Sequence, residues 1–144
     1  MESLTIKNTL SKKFIDELTY KVLGAVIEVH RAIGPGLLEG VYYKCLKREL
    51  TLRGIRFTDQ ISVPIIYKGA ELNADLRYDF YIEDAIILEL KSIEAFAPVH
   101  QAQVLTYMKF LNCPKGMLVN FNCTNIFKEG QKTFVNDLFR QLPD

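Results

Sequence analysis

The sequence of 144 residues lacks a long apolar segment, a large excess of charge of either sign and a regular set of cysteines. No apolar run approaches the roughly 18 residues of a membrane-spanning helix, so we expect no membrane segment. Lys and Arg number 18 against 17 Asp and Glu, a net charge of +1, which excludes a surface that is basic throughout. Cys45, Cys113 and Cys123 have no CxxC spacing, which argues against a disulfide framework or a zinc site and favours free thiols.

The composition that remains is that of a globular domain. Apolar residues make up 49% and charged residues 24%, which excludes a disordered chain, a collagen and a coiled coil. The length and the lack of repeats predict one domain over residues 1–144, with residues 1–11 as a loose leader. The first residues are polar and lack an apolar signal core, and the thiols favour a reducing compartment, so we expect a cytoplasmic protein.

Two helices are predicted in the first third of the chain. Apolar residues at intervals of three and four over residues 14–33 predict one helix, which Gly34-Pro35-Gly36 ends. A second helix is predicted over residues 38–53, ending at Gly54. The predicted buried stripe of the first helix is Ile15, Leu18, Val22, Val26, Val29 and Ile33. The residues predicted to share one side of the second helix are Tyr42, Cys45, Leu46 and Glu49.

The rest of the chain changes to the two-residue period of strands, with one further long helix. Pro64 marks an edge or an irregular position, Lys68-Gly69 predicts a turn, and Pro98 suits the start of a helix. The predicted fold class is therefore α/β or α+β, with helices packed on a sheet. The predicted strands are 61–67, 75–82, 86–92, 116–121 and 133–135, and the predicted helices are 99–111 and 135–142.

The strands at 75–82 and 86–92 can be paired in one register that keeps their apolar residues on one face. If Glu83 to Ala85 form a three-residue loop, every even-numbered residue from Tyr78 to Leu90 is apolar and faces the core. The same register places Asp79 opposite Glu89 and Arg77 opposite Lys91. Like charges directly opposite each other are destabilising unless something lies between them, and a divalent cation is the natural candidate.

Asp79, Glu89 and Lys91 therefore form a candidate metal site. Two carboxylates with few other protein ligands suit Mg²⁺, with Mn²⁺ as a substitute. A neighbouring lysine can orient a metal-bound water and stabilise developing negative charge. The alternative interpretation is a solvated sheet face on which Arg77, Asp79, Glu89 and Lys91 form a lattice of charges.

Several motifs resemble one known family. Asp79 followed by Glu89-Leu90-Lys91 resembles the D…(D/E)xK signature of the PD-(D/E)XK nuclease superfamily, and residues 36–42 (GLLEGVY) resemble the motif of its GxxExxY protein family. Further segments resemble that family and follow one another along the chain in the family's order: residues 29–35, residues 100–103, Tyr107 and residues 119–121. Phe80-Tyr81 depart from the small aliphatic residues that are usual after the aspartate. The resemblance implies an αβββαβ core with a mixed central sheet between helices.

The resemblance also implies roles for individual residues. Asp79 and Glu89 would be metal ligands, with the Leu90 carbonyl as a third, and Lys91 would be the catalytic lysine. Glu39 would be a further ligand, often through water. Gln103 and Tyr107 match a QxxxY element and could contact a phosphate or position the lysine. The alternatives are that Glu39 only stabilises a helix N-terminus and that Gln103 and Tyr107 only cap a core edge. We expect Tyr42 to be a packing residue instead of a chemical one, and His30 to be a buried, hydrogen-bonded histidine instead of a ligand.

The expected reaction is hydrolysis of phosphodiester bonds, with DNA as the expected substrate and a homodimer as the form that could cut two strands together. His100 could lie near the substrate or on the surface. The alternatives are a binding module for nucleic acid or protein without catalysis, and another phosphate chemistry on the same fold. Candidate phosphate contacts are Lys44, Lys47, Arg48 and Lys109, with Arg53, Arg56 and Lys115 as further basic residues, and each of these could instead belong to a solvated helix face.

Overall fold

Two long helices open the part of the chain that the structure describes, which is residues 10–144 of a computed structural model. A set of short strands follows, and a third long helix interrupts it. The helices are α1 (Lys12–Ile33), α2 (Glu39–Leu52), α3 (Pro98–Leu111), α4 (Ile126–Glu129) and α5 (Asp137–Arg140), and the strands are β1 (Phe57–Asp59), β2 (Ile65–Tyr67), β3 (Ala70–Leu72), β4 (Phe80–Ile82), β5 (Ile86–Lys91), β6 (Lys115–Asn120) and β7 (Gln131–Val135).

Helix α1 begins two residues earlier than predicted because Ser11 caps it. The Ser11 hydroxyl accepts a hydrogen bond from the Phe14 N–H at 3.0 Å. Leu10 is only 7% exposed in the core, so the predicted loose leader is wrong for residues 10 and 11, and residues 1–9 lie outside the described part. The predicted stripe is buried from Ile15 to Val29, but Ile33 is 36% exposed because the chain leaves the helix at Gly34. None of the helices in residues 10–144 is long and apolar enough to cross a bilayer.

Helix α2 is confirmed to within one residue at each end. Tyr42 and Leu46 are buried as predicted, and Leu50 completes the stripe. Cys45 and Glu49, predicted on the same side of the helix, are half-buried, and Glu49 forms a salt bridge to Arg53 at 2.7 Å. The buried stripe of α2 is therefore Tyr42, Leu46 and Leu50.

The central sheet has five strands in the order β1-β4-β5-β6-β7. Strands β5 and β6 are parallel, and every other neighbouring pair is antiparallel. All six residues of β6 are buried, which confirms the predicted central strand. The predicted fold class is confirmed, because a mixed sheet lies between helices.

The predicted strand at 61–67 does not join this sheet. Only β2 forms there, and it pairs with β3 in a separate two-stranded sheet across the confirmed Lys68-Gly69 turn. The edge of the central sheet is instead β1, which the sequence analysis missed because three residues are too short to show a period. The predicted strand at 75–82 is likewise shorter than expected, since regular pairing covers only β4.

The last part of the chain matches the predictions in kind but not in extent. Strand β7 is longer than predicted at 131–135, helix α5 is a single turn within the predicted 135–142, and α4 was not predicted. Single turns carry too few apolar positions to be recognised from periodicity.

Both faces of β5 are covered. Helices α1 and α2 pack on the face that carries Leu88 and Leu90, and α3 packs on the face that carries Ile87. A Cβ atom on Gly116 would lie 2.6 Å from Val104 Cγ1, which shows how closely α3 approaches β6. Of the two polar residues of β5, Glu89 is therefore buried between the helix layers, and Lys91 is half-buried at the strand end.

Candidate active site

The β4–β5 hairpin has the predicted register. Phe80 pairs with Leu88 and Ile82 pairs with Ile86 across a three-residue loop. Glu83 and Asp84 in this loop have φ values of 52°, the left-handed region that a tight hairpin requires. The register therefore brings the next residue, Asp79, opposite Glu89.

Asp79 and Glu89 are joined by hydrogen bonds in which their carboxylates replace backbone partners. The Asp79 N–H donates to Glu89 Oε1 at 2.8 Å, and the Leu90 N–H donates to Asp79 Oδ2 at 2.8 Å. The regular ladder ends at the Phe80–Leu88 pair, and these two bonds continue the contact beyond it. The two strands separate here while their acidic side chains stay together.

Two expectations about this end of the hairpin are wrong. Tyr78 packs with Ile87 on the α3 face and not with the even-numbered residues, and Arg77 bridges to Ser62 instead of facing Lys91. The cause is the end of β1, where the Gln60 N–H lies 3.2 Å from the Tyr78 carbonyl and draws the chain away from β5.

Glu89 is buried, and its environment opposes ionisation. Glu89 is 3% exposed, so the alternative interpretation of a solvated sheet face is wrong at this residue. Burial and the neighbouring Asp79 raise the pKa of Glu89 to about 9, although the Asp79 N–H and Lys91 act in the opposite direction. Burial also raises the pKa of Asp79, against the Leu90 hydrogen bond and the charge of Lys91. The pair therefore favours a shared proton, or a cation in its place.

Lys91 ends β5 on the same face as Glu89, because residues two apart on a strand point the same way. It is half-buried, and its carbonyl accepts a hydrogen bond from the Phe121 N–H at 2.9 Å. Across residues 10–144, no salt bridge engages its ammonium group, although its charge lowers the pKa values of Glu89 and Asp79.

Glu39 is the first residue of α2 and faces the same site from the neighbouring layer. Burial raises the pKa of Glu39, the charge of Lys91 lowers it, and the charge of Asp79 raises it. The residue as a whole is exposed, and within the described chain no three acidic, histidine or cysteine side chains are close enough together to hold a metal ion. Glu39 is therefore near the carboxylate pair without forming a three-carboxylate cluster with it.

Gln103 and Tyr107 lie on the face of α3 that packs on the sheet. The Gln103 amide donates to the Tyr107 hydroxyl at 3.1 Å, and that hydroxyl donates to the Arg77 carbonyl at 3.1 Å. Burial raises the pKa of Tyr107, and the charges of Glu89 and Asp79 add to the effect. These two residues thus approach the carboxylate pair from the side opposite Glu39.

Gln60 contacts the site but was not predicted from the sequence. Its side-chain amide donates to Asp79 Oδ1 at 3.2 Å, and its backbone has a φ of 54° that is unusual for a residue with a side chain. No motif marks it, and it follows the strand β1 that was itself not predicted. The only indication in the sequence was indirect: β4 has a second edge that another strand had to cover, and that strand, β1, ends just before Gln60.

The candidate phosphate contacts are not gathered into one patch by any described contact. Lys44 and Arg48 are exposed on α2, and Lys109 is exposed in the last turn of α3. Lys47 is engaged, because its Nζ lies 3.0 Å from Asp59 Oδ2, which also accepts a hydrogen bond from the Tyr43 hydroxyl. The positive charge of Lys47 is therefore partly neutralised beside the site.

Both histidines have structural contacts. His30 Nε2 lies 2.8 Å from the Cys123 carbonyl, which confirms the hydrogen-bonded interpretation. His100 Nδ1 accepts from the Ala97 N–H at 2.9 Å, so it caps the start of α3.

The donor atoms fit a hard divalent cation. Asp79 and Glu89 supply carboxylate oxygens at one strand end, and the Leu90 carbonyl lies between Glu89 and Lys91 in the chain. Oxygen donors of this kind suit Mg²⁺ or Mn²⁺, and a dication would offset the charge of two adjacent carboxylates. The geometry defines a class of site: paired acids and a lysine at the end of a central strand.

The comparisons with known proteins agree with this class. The family model described as the PD-(D/E)XK nuclease superfamily matches residues 16–134, a span that contains Glu39, Asp79, Glu89, Lys91 and Tyr107. The chain therefore belongs to the PD-(D/E)XK nuclease superfamily and has a nuclease-type fold. No curated protein and no solved structure matches it.

Proposed function

We propose that the protein is a Mg²⁺-dependent nuclease that hydrolyses phosphodiester bonds in DNA, with Mn²⁺ as an alternative cation. The observation that carries the proposal is the contact of half-buried Asp79 with buried Glu89 beside Lys91, in a chain of this superfamily. Burial raises the pKa of both carboxylates, and Asp79 raises that of Glu89 further, so the pair is costly for the fold. A bound cation would turn that cost into affinity for the metal. A purely structural role explains the pair less well.

Asp79, Glu89 and the Leu90 carbonyl would hold the cation, with Glu39 reaching it through water. When bound, a divalent cation supplies an activated water and stabilises negative charge on the phosphoryl oxygens. Lys91 would orient the attacking water and stabilise the charge that develops at phosphorus. Gln103 and Tyr107 would fix the scissile phosphate from the α3 side.

The substrate and the assembly belong to the same proposal. We assign the chain to the GxxExxY family on residues 36–42, and we propose one domain, cytoplasmic location and a homodimer that presents two sites. Lys44 and Arg48 are exposed on the helix that begins at Glu39, so phosphate contacts along α2 would lead DNA toward the site. Lys47 and Lys109 would make weaker contributions, Lys47 because Asp59 competes for it.

The test is cleavage of labelled single-stranded, double-stranded and branched DNA, and of RNA, with Mg²⁺, Mn²⁺ or EDTA. We expect metal-dependent cutting of DNA that is lost in Glu89→Gln. The matched control is Glu94→Gln, which removes an exposed carboxylate only five residues further along. Cutting by Glu89→Gln at the wild-type rate would contradict the proposal, and binding without cutting by the folded wild type would favour a non-catalytic nucleic-acid-binding module.

A further inference from the structure

The segment of residues 34–38, which leads into Glu39, has little in its own sequence to hold it in place. Gly34 and Gly36 have φ values of 74° and 90°, and Leu38 is 80% exposed. Leu38 gives α2 no side-chain cap. Helix N-termini usually have such a cap, so the position of Glu39 depends on contacts made from outside the segment.

Tyr42 supplies two of these contacts. Its hydroxyl donates to the Gly34 carbonyl at 2.6 Å and accepts from the Leu37 N–H at 3.2 Å. The side chain is fully buried, and its ring is stacked on Phe121 with centroids 4.3 Å apart and an interplanar angle of 7°. The hydroxyl of one buried tyrosine therefore holds the segment near both ends, at Gly34 and at Leu37.

Phe121, on which the Tyr42 ring is stacked, also contacts the backbone of Lys91. The Phe121 N–H donates to the Lys91 carbonyl at 2.9 Å, and the hydroxyl of the next residue, Ser92, donates to the Leu37 carbonyl at 2.5 Å. The segment before Glu39 and the strand end that carries Lys91 are thus joined through Phe121, Tyr42 and Ser92. A shift in one would move the other.

We infer that Tyr42 is a positioning residue, whose hydroxyl holds residues 34–38 against the end of β5 so that Glu39 stays beside Asp79 and Lys91. Its effect on metal binding rests on the proposed function of Glu39. Ser92 is the second tether of the same segment. The inference gives the tyrosine of residues 36–42 a task that packing alone would not require.

The first experiment measures hydrogen–deuterium exchange of the backbone over residues 34–41 and needs no metal. Tyr42→Phe keeps the ring and removes only the hydroxyl, so we expect exchange there to become about tenfold faster with the rest of α2 unchanged. Tyr81→Phe is the matched control, because the Tyr81 hydroxyl also donates to a backbone carbonyl, that of Asp84 at 3.2 Å. Unchanged exchange in Tyr42→Phe would overturn the inference.

The second experiment is calorimetric titration with Mn²⁺. We expect Tyr42→Phe to weaken binding about tenfold, Ser92→Ala to weaken it by a smaller factor, and Tyr81→Phe to leave it unchanged. In a Glu39→Gln background the Tyr42→Phe effect should vanish, because the positioned group is gone. An equal loss in both backgrounds would show a merely structural role. Faster exchange combined with no Mn²⁺ binding by the wild type would contradict the proposed function and leave the positioning role standing.

Discussion

Two pairs of charged residues lie at opposite ends of the β4–β5 hairpin, and they are built in opposite ways. At the turn, Glu83 forms a salt bridge with Arg56 at 2.8 Å, and the arginine side chain is 72% exposed. At the open end, Asp79 meets Glu89, which is 3% exposed, and the nearest elements add another acid, Glu39.

At the turn, the charge of Glu83 is balanced by that of Arg56. At the open end, two acids lie together and no salt bridge to either is found in residues 10–144. The pair at the turn is neutral and solvated, and such pairs contribute little to stability. The pair at the open end places two acids side by side, with Glu89 buried and Asp79 half-buried. The fold tolerates them through backbone hydrogen bonds and the raised pKa of Glu89. Perturbed acids in such positions are typical of functional sites. The contrast predicts that mutations at the open end change activity and pH behaviour, whereas mutations at the turn change neither.

The largest expected effect follows from removing the positively charged side chain of Lys91 at the open end. Lys91→Ala should lower metal-dependent cleavage by about a hundredfold or more, because it removes a preorganised positive charge from the reacting centre. Arg56→Ala removes the cation at the turn and should leave the rate within about twofold. Single-turnover cleavage of a labelled substrate measures both. Similar rates for the two variants would show that the open end and the turn do not differ in their importance for cleavage.

The second effect concerns the stability of the metal-free protein. The folded pKa of Glu89 is raised from 4.5 to about 9, so the folded state keeps a proton that the unfolded chain loses across that interval. The contribution of Glu89 to the free energy of unfolding is therefore fully present below about pH 4.5 and is lost as the pH rises toward 9. Glu89→Gln keeps the acceptor for the Asp79 N–H without the charge. It should flatten this slope and stabilise the metal-free protein at pH 8 by something on the order of 1–5 kcal/mol.

Urea unfolding with EDTA at several pH values tests that prediction. Glu83→Gln at the turn is the control and should retain the wild-type slope. A wild-type protein whose stability rises between pH 5 and 8 because of Glu89 would show that the sign of the pKa shift is wrong.

A smaller effect is expected at Gln60, which donates to Asp79 Oδ1. Gln60→Ala should weaken Mn²⁺ binding by up to about tenfold, since residues that orient metal ligands usually matter to that degree. Because this hydrogen bond lowers the pKa of Asp79, its loss should also raise the pH at which metal binding sets in. Titration calorimetry at two pH values measures both changes. Unchanged affinity and unchanged pH dependence would exclude a positioning role for Gln60.

The smallest effect is expected at the turn itself. Glu83→Gln breaks the salt bridge to Arg56, and we expect the free energy of unfolding to fall by less than about 1 kcal/mol. Thermal unfolding and the cleavage assay provide the measurements. A loss of cleavage in this variant would mean that charge at the turn also serves the site.

The sequence was sufficient for the register of the hairpin and insufficient for the surroundings of its open end. Phe80, Ile82, Leu88 and Leu90 alternate strictly, so only one pairing buries all four and places Asp79 beside Glu89. That logic fails at Tyr78, because a tyrosine suits either face and the sheet is buried on both.

Contacts set by tertiary structure were less accessible. Gln60 follows a three-residue strand with no detectable period, and its contact with Asp79 depends on where that edge strand docks. Glu39, Gln103 and Tyr107 were found only through resemblance to a family, since periodicity indicates which helix face is buried but not what lies opposite it. The salt bridge between Lys47 and Asp59 was not predicted for the same reason, since periodicity does not show that β1 lies beside α2.

If Asp79 and Glu89 form a divalent-cation site, as we propose, calorimetric titration of the metal-free protein with Mn²⁺ at pH 7.5 should detect it. We expect a single site per chain that is lost in Glu89→Gln and kept in Glu83→Gln. Binding should release a proton, because the raised pKa of Glu89 leaves the pair protonated at that pH, and buffers of different ionisation enthalpy reveal that proton. Equal binding by Glu89→Gln, or no binding by folded wild-type protein, would contradict the claim.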